Sequence, residues 1–285
     1  MCALLVSPKR HAMPKYANSC SNAAPHADFS KKKSVTKQSN ATTTQELQKS
    51  MNIAIPPGTP ARPYPRHLIP LRTSEGFTAL KNAESVVGFH SAAPVFQGQG
   101  PLQCGPTSLA IALNALKLVD PRKSSYRLHF DKDNIVEVLR SQIRPSHRFF
   151  SVSLDEIGKL AKQYIDLTPS SRVRVSTVRT NETTCEKFRE KAAIALRNGG
   201  IVVVNFSRAH IGYTTSPFAG HMSPIVAYNK DIDSFLLMDV AIRSWEPVWV
   251  PAPLLFDAMN TNSKPRDPTQ DYTLRKRGFI VFERI

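Results

Sequence analysis

His221-Met-Ser-Pro-Ile-Val-Ala-Tyr228 and Ser234-Phe-Leu-Leu-Met-Asp239 are apolar runs separated by the polar stretch Asn229-Lys-Asp-Ile-Asp233. Two such runs around a cluster of turn formers read as a β-hairpin. With the turn centred on Lys230, His221 falls directly opposite Asp239, and ladder partners lie about 5 Å apart. The hairpin thus gives an imidazole a carboxylate to orient it, which a general base requires. Taken alone, the pair could equally be an ordinary cross-strand contact.

The segments before the hairpin are mostly helical. Ser74 to Ala83 and Gly105 to Leu118 read as helices, the second apolar at 109, 111, 113 and 116 with alanines between. Amphipathic helices are expected over Asp133–Ile143 and Ser153–Ile165, the latter with Asp155 and Glu156 where the helix dipole favours them. Arg172-Val-Arg-Val-Ser-Thr-Val alternates as a half-exposed strand does, and Thr184–Arg197 is a helix closed by Asn198-Gly-Gly200. Ile201-Val-Val-Val-Asn-Phe and Gly278-Phe-Ile-Val-Phe-Glu283 read as strands, with a short helix over Pro253–Met259 between them. Helices first and strands later argue for an α+β fold.

Cys104 stands immediately before Gly105-Pro106 and the buried helix. Unpaired N–H groups and the dipole at a helix N-terminus favour a thiolate, and a nearby histidine does so further. Proline fits the first turn, where its missing N–H would lack a partner anyway, and Gly105 leaves room for close approach of a substrate. A free cysteine can also be merely a small buried hydrophobe, and Cys, His and Asp are all zinc ligands. With His221 and Asp239 the stronger reading is a nucleophile, base and orienting acid. A glutamine side chain near the nucleophile can stabilise an oxyanion together with the cysteine N–H. Gln97, Gln99 and Gln103 are all close in sequence, and position alone does not choose among them.

The chain has 285 residues and a net charge of +16, with 41% hydrophobic residues. Residues 1–60 hold eight Lys/Arg against Asp28 and Glu46, a surplus of +6 in a stretch rich in Ser, Thr, Ala, Asn and Pro. Residues 1–65 therefore read as a disordered basic tail or a transit peptide, and 66–285 as the catalytic domain. The remaining basic residues are dispersed without an aromatic-interleaved stripe, so neither nucleic acid nor a membrane is expected as a partner. No apolar run approaches the ~20 residues of a bilayer span. Four scattered cysteines without a Cys-x-x-Cys pair make no disulfide framework and point to a reducing compartment. The expected location is cytoplasmic, or a mitochondrion or plastid if the tail is a transit peptide.

Several motifs extend this reading. Phe96-Gln-Gly-Gln-Gly-Pro-Leu-Gln-Cys-Gly-Pro-Thr-Ser-Leu-Ala-Ile-Ala-Leu-Asn-Ala-Leu116, Val178-Arg-Thr-Asn181, Gly220-His-Met-Ser-Pro-Ile225, Asp239-Val-Ala, Trp249-Val-Pro, Ala258-Met-Asn260 and Arg277-Gly-Phe279 occur in that order. Together they resemble the successive motifs of the phytochelatin synthase family, from about Leu68 to Ile285. The resemblance implies a papain-like fold, in which a helical subdomain carrying the nucleophile packs on an antiparallel sheet carrying His and Asp. It implies an acyltransferase that forms a γ-glutamylcysteinyl thioester on Cys104 and makes phytochelatins from glutathione, in heavy-metal detoxification.

By the same resemblance, no cofactor is tightly bound. Heavy-metal ions such as Cd and Zn enter as glutathione thiolate complexes, and a homodimer is a compatible assembly. Aligning Phe96-Gln-Gly-Gln on the family motif makes Gln99 the oxyanion residue. Gly220, Arg277 and Arg243 are then candidates for binding substrate. The chain departs from the family where Gln103 replaces a tyrosine, where a loop Glu is absent and where Ile242 separates Asp239-Val-Ala from Arg243. These departures fall on the acceptor side. They leave two alternatives to phytochelatin synthesis: a γ-Glu-Cys–Gly peptidase that mainly hydrolyses glutathione, and a non-catalytic metal- or thiol-binding protein.

Overall fold

A computed structural model of the chain describes residues 64–118, 130–142, 152–168, 172–213, 220–263 and 275–285. The expected tail of residues 1–65 thus falls outside the described residues except for its last two. Seven helices are present among the described residues: α1 (Ser74–Lys81), α2 (Val87–Ala92), α3 (Cys104–Ala115), α4 (Lys132–Gln142), α5 (Leu154–Asp166), α6 (Cys185–Arg197) and α7 (Ala252–Met259). The strands are β1 (Ile69–Pro70), β2 (Val173–Arg179), β3 (Ile201–Ser207), β4 (Gly220–Asn229), β5 (Ser234–Leu237), β6 (Val248–Pro251), β7 (Asn262–Ser263), β8 (Arg275–Lys276) and β9 (Gly278–Arg284). A sheet in the order β1-β6-β5-β4-β3-β9-β2 runs through the molecule, every pairing antiparallel, and β7 pairs with β8 separately. The fold is α+β, as the order of elements suggests.

Helices cover both faces of the sheet, and the strand sequences show it. In β3, Ile201 and Val203 enter a core built with α1 to α5, whereas Val202, Val204 and Phe206 enter a second core with α6 and α7. In β9, Ile280 and Phe282 face the first core and Phe279 and Val281 the second. A strand buried on both faces reads as a continuous apolar run, which explains Ile201-Val-Val-Val without polar alternation. Tyr64, assigned to the tail by sequence, packs edge-on against Trp245 with ring centroids 5.8 Å apart, and its hydroxyl accepts the Glu246 N–H at 3.0 Å. Among the described residues no helix is long and apolar enough to cross a membrane.

The central hairpin forms, but with a different register from the one its sequence suggests. Asn229 pairs with Ser234, Tyr228 with Phe235 and Ala227 with Leu236, and the register then shifts so that Ile225 pairs with Leu237. Two local features move the turn away from Lys230. The Asn229 side chain accepts the N–H groups of Asp231 and Ile232 at 2.9 and 3.3 Å, and Asp233 takes a left-handed φ of 42°. The bulge appears in the packing as well: consecutive Val226 and Ala227 both enter the first core. His221 and Asp239 are therefore not ladder partners, and the ladder ends at Leu237 before Asp239 is reached.

The cysteines divide in an unexpected way. Cys104 is the free cysteine among the described residues, while Cys185, buried at the start of α6, is disulfide-bonded. The disulfide at Cys185 departs from the reading of four scattered cysteines in a reducing compartment, and Cys2 and Cys20 lie outside the described residues.

Helix α5 shows how local sequence fixes one of these elements. Ser153 Oγ accepts the Glu156 N–H at 3.2 Å, and Glu156 Oε2 accepts the Ser153 N–H at 2.7 Å, which closes a capping box. The site is exposed, so its removal perturbs little else. Ser153→Ala is expected to destabilise the fold by about 1 kcal/mol, read as a lower denaturant midpoint with an unchanged slope. An unchanged midpoint would mean that packing alone holds α5.

Candidate active site

Cys104 is the first residue of α3, and the helix places it at the edge of a core that swallows the rest of the element. Every residue from Gly105 to Ala115 is buried. Gln103 at the N-cap makes no side-chain capping bond, so the N-terminal N–H groups are not occupied by a cap. His221 and the backbone N–H groups of Met222 and Gly105 all favour a charged sulfur at Cys104. Sequence reading gave Gly105 to substrate approach, and the structure gives it another reason. A Cβ there would lie 2.6 Å from Val152 Cγ2, so the glycine lets α3 pack against the segment leading into α5.

His221 is the second residue of β4, and its Nε2 lies 2.7 Å from Asp239 Oδ1. The two side chains meet across the end of the ladder rather than directly opposite, a diagonal reach that an imidazole can span. Both are sealed from solvent, at 2% and 0% side-chain exposure. Phe206, paired with His221 across the sheet, sets its ring edge-on to the imidazole with centroids 5.6 Å apart. Asp239 Oδ1 also accepts the Ala241 N–H at 2.8 Å, which holds the carboxylate where the chain leaves the sheet. With Nε2 engaged by Asp239, Nδ1 is the ring nitrogen left for the thiol.

Electrostatics tie the three groups into a series. Burial disfavours a charged imidazole, but attraction to Asp239 and the hydrogen bonds to Asp239 and Cys104 outweigh it and push the His221 pKa up to about 9. Burial likewise opposes a thiolate, yet the His221 contact and the Met222 and Gly105 N–H groups bring the Cys104 pKa below the usual thiol range. A thiolate–imidazolium pair backed by a carboxylate follows. Among the described residues no three His, Cys, Asp or Glu side chains converge in the manner of a metal site. Asp239 reaches Cys104 only through His221.

The structure separates the three glutamines that position could not. Gln97 Nε2 donates to the Phe130 carbonyl at 3.3 Å. Gln103 Oε1 accepts the Gly100 N–H at 3.1 Å, and its Nε2 donates to Asp133 at 3.0 Å. Gln99 differs: its Oε1 is buried without a partner among the described residues. Its backbone N–H is anchored at 2.8 Å on the carbonyl of Val240, next to Asp239. The carboxamide oxygen left without a partner among the described residues therefore belongs to the glutamine whose backbone is tied next to Asp239.

Arg277 is 7% exposed, a buried cation rather than a strand-edge charge. Its Nε donates to Thr261 Oγ1 at 3.0 Å and one terminal nitrogen to Asn205 Oδ1 at 3.2 Å, so among the described residues its partners are neutral. Burial lowers its pKa and the Cys104 charge raises it, which puts the guanidinium within electrostatic reach of the sulfur. A Cβ on Gly220 would stand 2.4 Å from this guanidinium, so the glycine before His221 leaves space for it. Arg243 is different, exposed in the turn after Asp239. The inserted Ile242 takes the inner position, where a Cβ on Gly98 would lie 2.6 Å from its Cδ1. Asn205 and Thr261, which hold Arg277, carry no sequence signal that would have marked them.

The raised His221 pKa has a thermodynamic consequence. Between pH 6.5 and about 9 the folded protein holds a proton that the unfolded chain releases. His221 therefore contributes stability in full below pH 6.5, and the contribution fades as pH rises through about 9. The lowered Cys104 pKa acts in the opposite sense, so the comparison is made in a Cys104→Ser background, where Asp239→Asn removes the main cause of the His221 shift and the denaturant midpoint should fall less between pH 6.5 and 9.5 than with Asp239 present. Parallel profiles for the two proteins would show that His221 does not titrate in this window.

The sequence profile described as phytochelatin synthase matches residues 59–279. Glutathione gamma-glutamylcysteinyltransferase 2 of Arabidopsis thaliana is 29% identical over 198 residues, covering 69% of this chain and 40% of that protein. Glutathione gamma-glutamylcysteinyltransferase 1 of Triticum aestivum is 31% identical over 215 residues, 73% of this chain and 38% of that protein. The glutathione gamma-glutamylcysteinyltransferase of Schizosaccharomyces pombe is 22% identical over 282 residues, 96% of this chain and 60% of that protein. The chain thus spans about two fifths of the length of the plant relatives it matches. With the profile covering most of its residues, the chain belongs to the phytochelatin synthase family.

Proposed function

We propose that this chain is a papain-like cysteine acyltransferase that takes the γ-glutamylcysteinyl group from glutathione and passes it to a second glutathione, making phytochelatin. The observation that carries the reading is the series at the start of α3, in which half-buried Cys104 meets the buried pair His221–Asp239. The Cys104 thiolate attacks the carbonyl carbon of the Cys–Gly peptide bond. The tetrahedral oxyanion is held by the Cys104 N–H and the Gln99 carboxamide. His221 gives its proton to the departing glycine nitrogen, the C–N bond breaks, and a thioester remains on Cys104. The α-amine of a second glutathione then attacks the thioester, His221 takes up its proton, and the thiolate leaves.

Arg277 is the group suited to a substrate carboxylate, because it is a buried cation held by neutral partners among the described residues. Metal ions enter this scheme as thiolate complexes of glutathione, hence as part of the substrate, and heavy-metal detoxification is the role such an activity serves. The acceptor side differs from the family pattern, with Ile242 turned in and Arg243 turned out. Water competes with the acceptor amine for the thioester, and orientation of the amine decides that contest. Hydrolysis to γ-Glu-Cys is therefore the second reading.

Both products can be followed by mass spectrometry of the purified chain with glutathione, with and without Cd²⁺. Glycine release with γ-Glu-Cys is expected readily, and phytochelatin should increase with glutathione concentration and with Cd²⁺. Cys104→Ser should lose about 10³-fold or more in turnover, and Arg277→Gln should raise KM more than it lowers kcat. Folded protein that yields neither product at any concentration would remove glutathione as the substrate.

A further inference from the structure

The segments that carry the active site are joined by one continuous run of hydrogen bonds. Ser108, one turn beyond Cys104 on α3, donates from Oγ to the Met222 carbonyl at 3.1 Å. Ser223 donates to the same carbonyl at 2.8 Å, and its oxygen accepts the Val240 N–H at 3.3 Å. The Val240 carbonyl accepts the Gln99 N–H at 2.8 Å. Met222 follows His221 and Val240 follows Asp239 in sequence, so the run passes beside each member of the site. Both serines are 0% exposed.

We propose that Ser108 and Ser223 are positioning residues, which act through the Met222 carbonyl to hold the Cys104 helix, the His221 strand and the Asp239 connection at reacting distance. Apolar packing between α3 and β4 is strong but non-directional, and it does not by itself fix how far the helix slides along the strand. The hydroxyl bonds supply direction. The β4–β5 pairing ends at Leu237, one more backbone bond runs from the Met238 N–H to the Pro224 carbonyl at 2.9 Å, and the Ser223 bridge to Val240 continues the connection past Asp239. The Met222 N–H is among the groups that favour the Cys104 thiolate, so a shift of Met222 disturbs the thiolate as well as the imidazole. A misplacement of about 1 Å in such a site can cost on the order of 10²-fold in rate.

The functional meaning rests on the thioester reading, so the test uses Cys104 reactivity without glutathione. The alkylation rate of Cys104 by iodoacetamide is measured against pH in the full chain, with the modified peptide identified by mass spectrometry. Ser108→Ala and Ser223→Ala are each expected to raise the apparent pKa by about one unit, a roughly tenfold slower reaction on the acid side. The double variant should fall short of the sum, because both hydroxyls act on one carbonyl. Thr107→Val is the control: this neighbour on α3 has a buried hydroxyl with no partner among the described residues, and its loss should leave the profile alone. Folded Ser108→Ala and Ser223→Ala proteins with wild-type profiles would overturn the proposal, and so would an equal shift in Thr107→Val. Should Ser223→Ala not fold, Ser108→Ala decides by itself. A protein inert toward glutathione that still shows the shifts would keep the positioning role and lose the substrate.

Discussion

The complete burial of α3 is the constraint on which the rest depends. No residue of Cys104–Ala115 is charged, and from Gly105 onward all are buried. A helix apolar on every side needs cover on every side. The sheet supplies it through β4 and β3, while α2, α4 and α5 close the other flanks. Each of Leu109, Ile111 and Leu113, fully buried, contributes about 2 kcal/mol of transfer free energy. The helix is therefore held in the core. Its N-terminus, where Cys104 is half-buried, opens toward the His221 strand. Packing brings Cys104 to the His221 strand without fixing its position along that strand.

Charge is then arranged against the expense of burial. A lone buried thiolate, imidazolium or carboxylate would shift its pKa and neutralise. Here each is compensated by the next, and the series terminates on Asp239, whose Oδ1 accepts two hydrogen bonds. Arg277 sits close to this series with neutral partners among the described residues. That makes the region around Cys104 favourable to an anion, which is what the proposed substrate carboxylate requires.

The sequence carried the elements well, and the geometry between them less so. Helices α3, α5 and α6 and strands β3 and β9 were legible because apolar period, caps and terminal glycines agree locally. The hairpin register was not. An Asx turn at Asn229 and a bulge between Ile225 and Ala227 each shift pairing, and neither leaves a periodic trace. His221 and Asp239 met all the same, because side chains bridge an offset that backbones do not. The family motif already singled out Gln99, while the different partners of the Gln97, Gln99 and Gln103 carboxamides are a property of tertiary contacts that position in sequence does not carry. Asn205 and Thr261 around Arg277 were invisible for the same reason.

The connection after Asp239 has a bearing on how this site can change. Asp239, Val240 and Ala241 are pinned by bonds to His221, Ser223, Gln99 and the carboxylate itself, and Ser244 and Trp245 then fold back onto the Ala241 carbonyl at 2.8 and 3.1 Å. The single extra residue, Ile242, is accommodated inside that closed turn. Length variation there is insulated from the reacting groups, while it decides whether an aliphatic or a cationic side chain is presented beside Gly98. A change of length at this turn alters the side chain beside Gly98 while the bonds that hold Asp239 lie upstream of it.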